Sequence, residues 1–186
     1  AMQIGFNEAA RQAILRDPKW QDGDYDPSDP PSHGLSVARM IGHLPFLRES
    51  AFAAKFGRQL QDKESFEFTW LPEFQVESYL NYQGDKFTGR FDPNSLLVLT
   101  RAIDYYDLKT LKGARAKFLF TSFTSDWLYL PEQSRLLTSM AIDAGLDATW
   151  VNVDVPFGHD AFLLESQQQG DALLGFLERL KVHNVE

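Results

Sequence analysis

Ala116-Lys117-Phe118-Leu119-Phe120-Thr121 and, thirty-odd residues on, Ala148-Thr149-Trp150-Val151-Asn152-Val153-Asp154-Val155 are the stretches that decide the fold class. The first is a short apolar run of the kind that forms a buried strand. The second reads as another strand. Between them Pro131 opens a helix on which Leu136, Leu137, Met140 and Ala144 recur at helical spacing, and Gly145 closes it. Strand, helix and strand at this spacing make a right-handed parallel unit. A final helix is expected over about residues 168–182, with Leu173, Leu174, Leu177 and Leu180 inward. The fold class is therefore α/β. Two parallel strands leave faces and edges uncovered, so several further strands are expected to be missing from these residues.

Upstream the pattern is helical. Residues 4–16 place Ile4, Phe6, Ala10, Ala13 and Ile14 near one face, with Arg11 and Arg16 on the other. Asp17-Pro18 stops this helix, because a residue before proline avoids helical dihedrals. Residues 18–34, rich in proline, glycine and aspartate, read as a long surface loop, and such loops are often functional. Residues 35–109 read as helices only. Leu35, Ala38, Ile41 and Leu44 form one stripe, interrupted at Pro45 and continued by Phe52 and Phe56. Val76, Tyr79, Leu80 and Tyr82 mark another helix. Asp92-Pro93 supplies an N-cap and a first-turn proline for the next, whose face is Leu96, Leu99, Ile103 and Tyr106.

Composition narrows the function classes. The chain has 186 residues, 44% hydrophobic and 24% charged, as a globular domain with a real core does. No apolar run approaches the ~20 residues of a spanning helix. A net charge of −8 without a basic stripe disfavours nucleic acid and anionic membranes. The absence of cysteine excludes disulfides, thiolate metal sites and a cysteine nucleophile within these residues. Ala1-Met2 reads as a cloning remnant ahead of a segment that begins mid-protein, and the start has no signal-peptide pattern. A cytoplasmic location is expected.

Ligands of open parallel sheets bind past the C-terminal ends of the strands. The loops there are Ser122-Phe123-Thr124-Ser125-Asp126-Trp127-Leu128 and Pro156-Phe157-Gly158-His159-Asp160-Ala161-Phe162. An acid after one strand and a histidine after the next is the Asp…His end of a Ser…Asp…His triad. In that chemistry the imidazole takes the serine proton, and the carboxylate fixes the ring's tautomer and stabilises its charged form. Each residue also has a plainer reading: Asp126 as a turn or helix cap, His159 as a loop histidine, Asp160 as a solvated turn residue. His33 and His43 read as structural. No Gly-x-Ser-x-Gly occurs; Gly34-Leu35-Ser36 lacks the second glycine, so the nucleophile reads as absent. No dinucleotide fingerprint, phosphate loop, zinc helix or calcium loop is present either, so no metal or cofactor is expected.

A series of ordered motifs goes further. Asn7, Arg11-Gln12-Ala13-Ile14, Asp17-Pro18-x-Trp20, Gly23-x-Tyr25, Pro30-Pro31, Gly34-Leu35 and Ala38-Arg39 are followed by Lys55-Phe56-Gly57-Arg58 and Val76-Glu77-Ser78-Tyr79-Leu80. Gln83-Gly84-Asp85-Lys86-Phe87, Arg90-Phe91-Asp92, Ser125-Asp126-Trp127-Leu128 and Gly158-His159-Asp160-Ala161-Phe162-Leu163 complete the set. Together they resemble the C-terminal half of the homoserine O-acyltransferases, of the α/β-hydrolase superfamily. The resemblance implies a ping-pong transfer of an acetyl or succinyl group from the CoA thioester, through a serine absent here, to the hydroxyl of homoserine, in methionine biosynthesis. It implies triad roles for Asp126 and His159 and a contact of Asp160 with the homoserine amino group. It implies that residues 1–34 are a helix and loop leading to a helical lid at 35–109, which pairs with its copy in a homodimer. Residues 110–186 are then the C-terminal part of the hydrolase fold.

Two departures bear on the substrate. Where the family often has Thr-Tyr-Arg, with the arginine meeting the substrate carboxylate, this chain runs His43-Leu44-Pro45-Phe46-Leu47-Arg48. Leu47 occupies the arginine position and Arg48 follows as the candidate contact; a leucine there also resembles a subgroup that includes succinyl transferases. Leu96 and Leu97 stand where an aromatic is common. Two other readings remain: an esterase of the same superfamily with water as acceptor, and a non-catalytic, lid-derived dimerisation module. The 186 residues alone are expected to be inactive.

Overall fold

A computed structural model describes residues 1–46, 49–164 and 167–182. Packing separates Ala1–Pro45 with Phe52–Asp107 from Phe46–Ala51 with Leu108–Glu186. The first group is helical: α1 (Met2–Leu15), α2 (Ser32–His43), α4 (Gln75–Thr88) and α5 (Pro93–Tyr105), with α3 (Glu49–Lys55) divided between the groups. Helix α1 packs on α2 and α5, and α2 on α4. Ala10, Ile14, Leu35, Ala38 and Phe87 form the core.

Aspartates set the helix ends. After α1 the backbone N–H of Asp17 donates to the carbonyl of Ile14 (3.0 Å). Its buried carboxylate accepts from Lys19 N (3.0 Å) and, across the loop, from Gly34 N (2.7 Å), one of the free donors in the first turn of α2. Asp92 accepts from Ser95 N (2.6 Å) and Pro93 fills the first position of α5. The 18–34 stretch is the surface loop its composition predicts as far as Pro30, with most of its residues exposed, and departs from it only at its end. It holds a 3-10 turn over Gln21–Gly23, ends in a fully buried Pro31, and gives way to α2 at Ser32. Asn94 draws it against α5, accepting from Trp20 Nε1 (3.0 Å) and donating to the carbonyl of Gly23 (2.9 Å).

Two faces differ from the periodicity reading, for one reason. Arg11, expected outside, is only 2% exposed. Its guanidinium lies 2.9 Å from Glu8 and 2.7 Å from Asp104, and Asn7 donates to the same Asp104 (2.7 Å). Burial pushes the Asp104 carboxyl up, but the Asn7 bond and Arg11 outweigh it and hold it below the ordinary value. Because Asp104 faces α1, α5 is turned so that Leu96 and Leu97 touch the core while Leu99 and Ile103 stand more than half exposed. Tyr106, just past the helix, is exposed as well.

The second group holds β1 (Phe118–Phe123), α6 (Pro131–Asp143), β2 (Ala148–Val153), a 3-10 turn over Gly158–Leu163, and α7 (Gln167–Val182). The strands pair in parallel from Phe118↔Ala148 to Phe123↔Val153. The first strand starts and ends two residues later than its apolar run predicts. The ladder continues through Ser122 because its hydroxyl donates to Asn152 Oδ1 (3.0 Å) and accepts from Trp150 Nε1 (2.8 Å) across the pair. Phe123, Val153 and Ala161 make the core.

The helices α6 and α7 meet both strands, but along narrow stripes. Thr138 and Ala141 are the buried residues of α6. Leu136, Leu173, Leu174 and Leu177, all expected inward, are exposed. Strands lie ~4.8 Å apart, so two of them cover little of a helix ~10 Å wide. Among the described residues no helix is long and apolar enough to cross a membrane.

Candidate active site

The site lies where the two strands end. β1 finishes at Phe123, and one more ladder bond joins Thr124 N to the carbonyl of Val153 (3.0 Å). A tight turn follows, closed by Asp126 N donating to the carbonyl of Phe123 (3.1 Å). It leaves the Asp126 side chain buried. Oδ1 of Asp126 accepts from Leu128 N and Tyr129 N, both at 2.9 Å. Oδ2 stands 2.9 Å from Nδ1 of His159, which the 3-10 turn after β2 supplies.

Asp126 therefore does both things its sequence context allows. One oxygen caps a turn and the other meets the histidine. Burial pushes its carboxyl up, but the His159 contact and the two backbone N–H groups outweigh this and hold it below the ordinary carboxylate value. An ionised carboxylate only accepts, so Nδ1 of His159 carries the proton and donates. In the neutral ring Nε2 then keeps its lone pair.

Aromatic rings surround the imidazole. Centroids of Tyr129, Phe162 and Phe46 lie 5.0, 5.9 and 6.0 Å from that of His159. A cavity of about 320 Å³ opens beside the pair, lined in part by Ser122, Tyr129, Ser134 and Phe162. Hydroxyls are present, but that of Ser122 is committed to the strand ladder. Ser36, in the Gly-Leu-Ser stretch, is buried on α2 and donates to Asp85 (3.4 Å).

The backbone N–H of Asp160 donates to the carbonyl of Phe46 (3.3 Å). Among the described residues its carboxylate has no hydrogen-bond or ion-pair partner. Arg48 lies outside the described residues. His43 is buried against the edge of Tyr79. Burial, then the charges of Arg39 and Lys55, lower it to about 4, so it is neutral near pH 7. Among the described residues no group of three acidic or histidine side chains is placed to hold a metal ion.

Sequence reasoning passed over the Leu128 and Tyr129 N–H groups, the ring cage and Ser125. Phe162 in the second loop and Tyr129 just past the first were the available signal for the cage; Phe46 is remote in sequence.

No protein-family model matches the chain. A homoserine O-acetyltransferase from Methanohalobium evestigatum is 50% identical over 98% of this chain and 39% of its own length. A homoserine O-succinyltransferase from Janthinobacterium sp. (strain Marseille) is 43% identical over 96% of this chain and 49% of its own. By sequence the chain is similar, over nearly all of its length, to homoserine O-acyltransferases. It spans half or less of the length of these relatives.

Solved structures agree on the fold. Esterase E22 superposes with a TM-score of 0.77 at 22% identity, over 94% of this chain and 49% of that one. A homoserine O-acetyltransferase from Bacillus anthracis gives 0.73 at 18% identity, over 86% and 44%. The fold is that of the α/β-hydrolases, represented here by two strands and their flanking helices.

Proposed function

We propose that these residues are the acid- and histidine-bearing C-terminal half of a homoserine O-acyltransferase, whose nucleophilic serine lies in the remainder of the protein. The observation that carries this reading is the 2.9 Å pairing of His159 Nδ1 with a backbone-clamped Asp126 at neighbouring strand ends, in a chain of this relatedness. Nε2 of His159 takes the proton as serine Oγ attacks the thioester carbonyl, and passes it to the departing CoA sulfur. The homoserine hydroxyl then attacks the acyl-serine, its proton moves to Nε2, and the serine leaves reprotonated. The product is an O-acyl homoserine, for methionine biosynthesis. Asp160, beside the histidine, would receive the substrate ammonium, and Arg48 its carboxylate. Residues 35–109 would act as the lid that keeps water off the acyl-enzyme. No cofactor is needed beyond the acyl-CoA substrate.

Thiol release by the whole protein, with acetyl-CoA or succinyl-CoA and with or without homoserine, tests this. Turnover of ~10 s⁻¹ that depends on homoserine is expected with one donor. Hydrolysis indifferent to homoserine would identify an esterase. The 186 residues assayed alone are expected to release no thiol above background, because His159 and Asp126 without a nucleophile form no acyl-enzyme. Turnover by them would point to another nucleophile.

The same reading has the helical residues pairing with a second copy. Phe66, Phe68, Trp70 and Leu71 are well exposed, Trp70 completely, and so are Leu99 and Ile103 on α5. Apolar surface of this extent usually marks a contact. Light scattering well above micromolar concentration is expected to show a dimer. A strictly monomeric species would overturn the pairing.

A further inference from the structure

Two hydrogen bonds join the turn after β1 to the turn after β2, and they lie one residue apart. His159 Nδ1 donates to Asp126 Oδ2, and the backbone N–H of Gly158 donates to Ser125 Oγ (2.9 Å). The first is the pair described above. The second involves no ionisable group and joins the residues immediately before that pair. Ser125 is 5% exposed and Gly158 is buried, so this bond is shielded from water.

We propose that Ser125 is a positioning residue for His159. The argument is mechanical. His159 stands six residues beyond the end of β2, past Pro156, in the first turn of a short 3-10 helix. Gly158 enters that turn with φ of +72°, a conformation costly for any side-chain-bearing residue. Its peptide N–H is thereby aimed at the β1 turn, where Ser125 Oγ receives it. The hydroxyl fixes the start of the turn, and the next residue presents its imidazole at a set distance from Asp126. A bond from the next residue of this turn, Asp160 N to the carbonyl of Phe46, is longer at 3.3 Å. Without the Ser125 oxygen, Gly158 N–H would be buried and unmet, and the turn would move to find water or another acceptor. His159 would move with it.

The proposal rests on His159 being the proton carrier, but its geometry can be read without any turnover. In the 186-residue chain, the downfield Nδ1–H resonance of His159 and the Gly158 amide are followed by NMR. Ser125→Ala is expected to leave a dispersed spectrum and to speed water exchange of the Nδ1 proton at least ~10-fold, the loss of one net hydrogen bond of about 1.4 kcal/mol. Ser125→Thr, which keeps the oxygen, is expected to restore slow exchange. An unchanged imidazole resonance in a folded Ser125→Ala chain would overturn the proposal. Should that variant not fold, the unmodified chain still decides. Fast exchange of the Gly158 amide beside a slowly exchanging Nδ1 proton would overturn it, and joint protection supports it. In the whole protein, Ser125→Ala is expected to lower kcat ~10²-fold with little change in KM, the effect of a misplaced group. A normal NMR response with unaltered kcat would instead remove His159 from the mechanism and leave the positioning intact.

Discussion

Asp126→Asn in the whole protein is expected to lower kcat about 10⁴-fold with KM little changed. The geometry shows why so small a change matters. Asp126 uses both oxygens as acceptors, one for Leu128 N and Tyr129 N and the other for His159 Nδ1. Asparagine has one acceptor oxygen and one NH₂ donor. The two backbone donors hold the oxygen, since the opposite orientation would leave the buried Leu128 N–H, at about 1–3 kcal/mol, and the part-buried Tyr129 N–H facing an NH₂. The NH₂ then faces His159, and Nδ1 must accept. The ring proton moves to Nε2, where a lone pair is needed to take the serine proton. The variant keeps its fold and loses its base. His159→Ala is expected to lose at least as much, and the double variant no more than the worse single one, because the groups act as a unit. Steady-state kinetics together with the imidazole ¹⁵N shifts check this. A variant keeping more than about a tenth of wild-type kcat would remove Asp126 from the tautomer-setting role that the triad template assigns to such a carboxylate.

How far the sequence discloses this site can be seen residue by residue. The strand–helix–strand order is legible because its apolar runs and helix punctuation are local signals, and that order by itself puts Asp126 and His159 at neighbouring strand ends. The exact end of β1 was not legible. Ser122 looks like a loop residue until its partners Asn152 and Trp150, about thirty positions away, are known. On α1 and α5 the periodicity held for Ala10, Ile14 and Leu96, which turn inward, and missed Arg11, which is buried, and Leu99 and Ile103, which are not. Periodicity sorts residues by polarity, whereas the Arg11–Asp104 pair buries two charges against each other. Leu173, Leu174 and Leu177 failed in the opposite sense. Their apolar pattern describes a surface to be covered, and two strands do not cover it. The Ser125–Gly158 bond left only a faint trace, a serine before the acid and a glycine before the histidine.

Gly34→Ala is expected to destabilise the helical residues by about 2–4 kcal/mol, for reasons that no inspection of α2 alone would supply. A β-carbon on Gly34 would sit 2.6 Å from the carbonyl oxygen of Ala13, 2.7 Å from Cα of Ile14 and 3.0 Å from Cβ of Asp17. The first two are backbone atoms of α1 and its end, so no rotamer change relieves the clash; the helices must separate. Overpacking of this kind costs about 1–3 kcal/mol. Separation also stretches the buried 2.7 Å bond from Gly34 N to the Asp17 carboxylate, of a charged class worth about 1.5–3 kcal/mol. Against this, replacing glycine in a helix returns at most ~1 kcal/mol. Gly42, in the same helix, has nothing within 4 Å of its added β-carbon, so there the propensity gain stands alone and Gly42→Ala is expected to stabilise by ~0.5–1 kcal/mol. Gly84→Ala falls between them. Its β-carbon meets the carbonyl of Ser36 at 2.9 Å, but its other neighbours, the Ser36 hydroxyl and the end of Met40, are side-chain atoms that can turn away. Thermal melts of the three variants should therefore order as Gly34→Ala lowest, Gly84→Ala next and Gly42→Ala above wild type, with Gly34→Ala about 5–10 °C down. A Gly34→Ala melt indistinguishable from that of Gly42→Ala would mean that α1 and α2 do not cross as closely as the glycine allows.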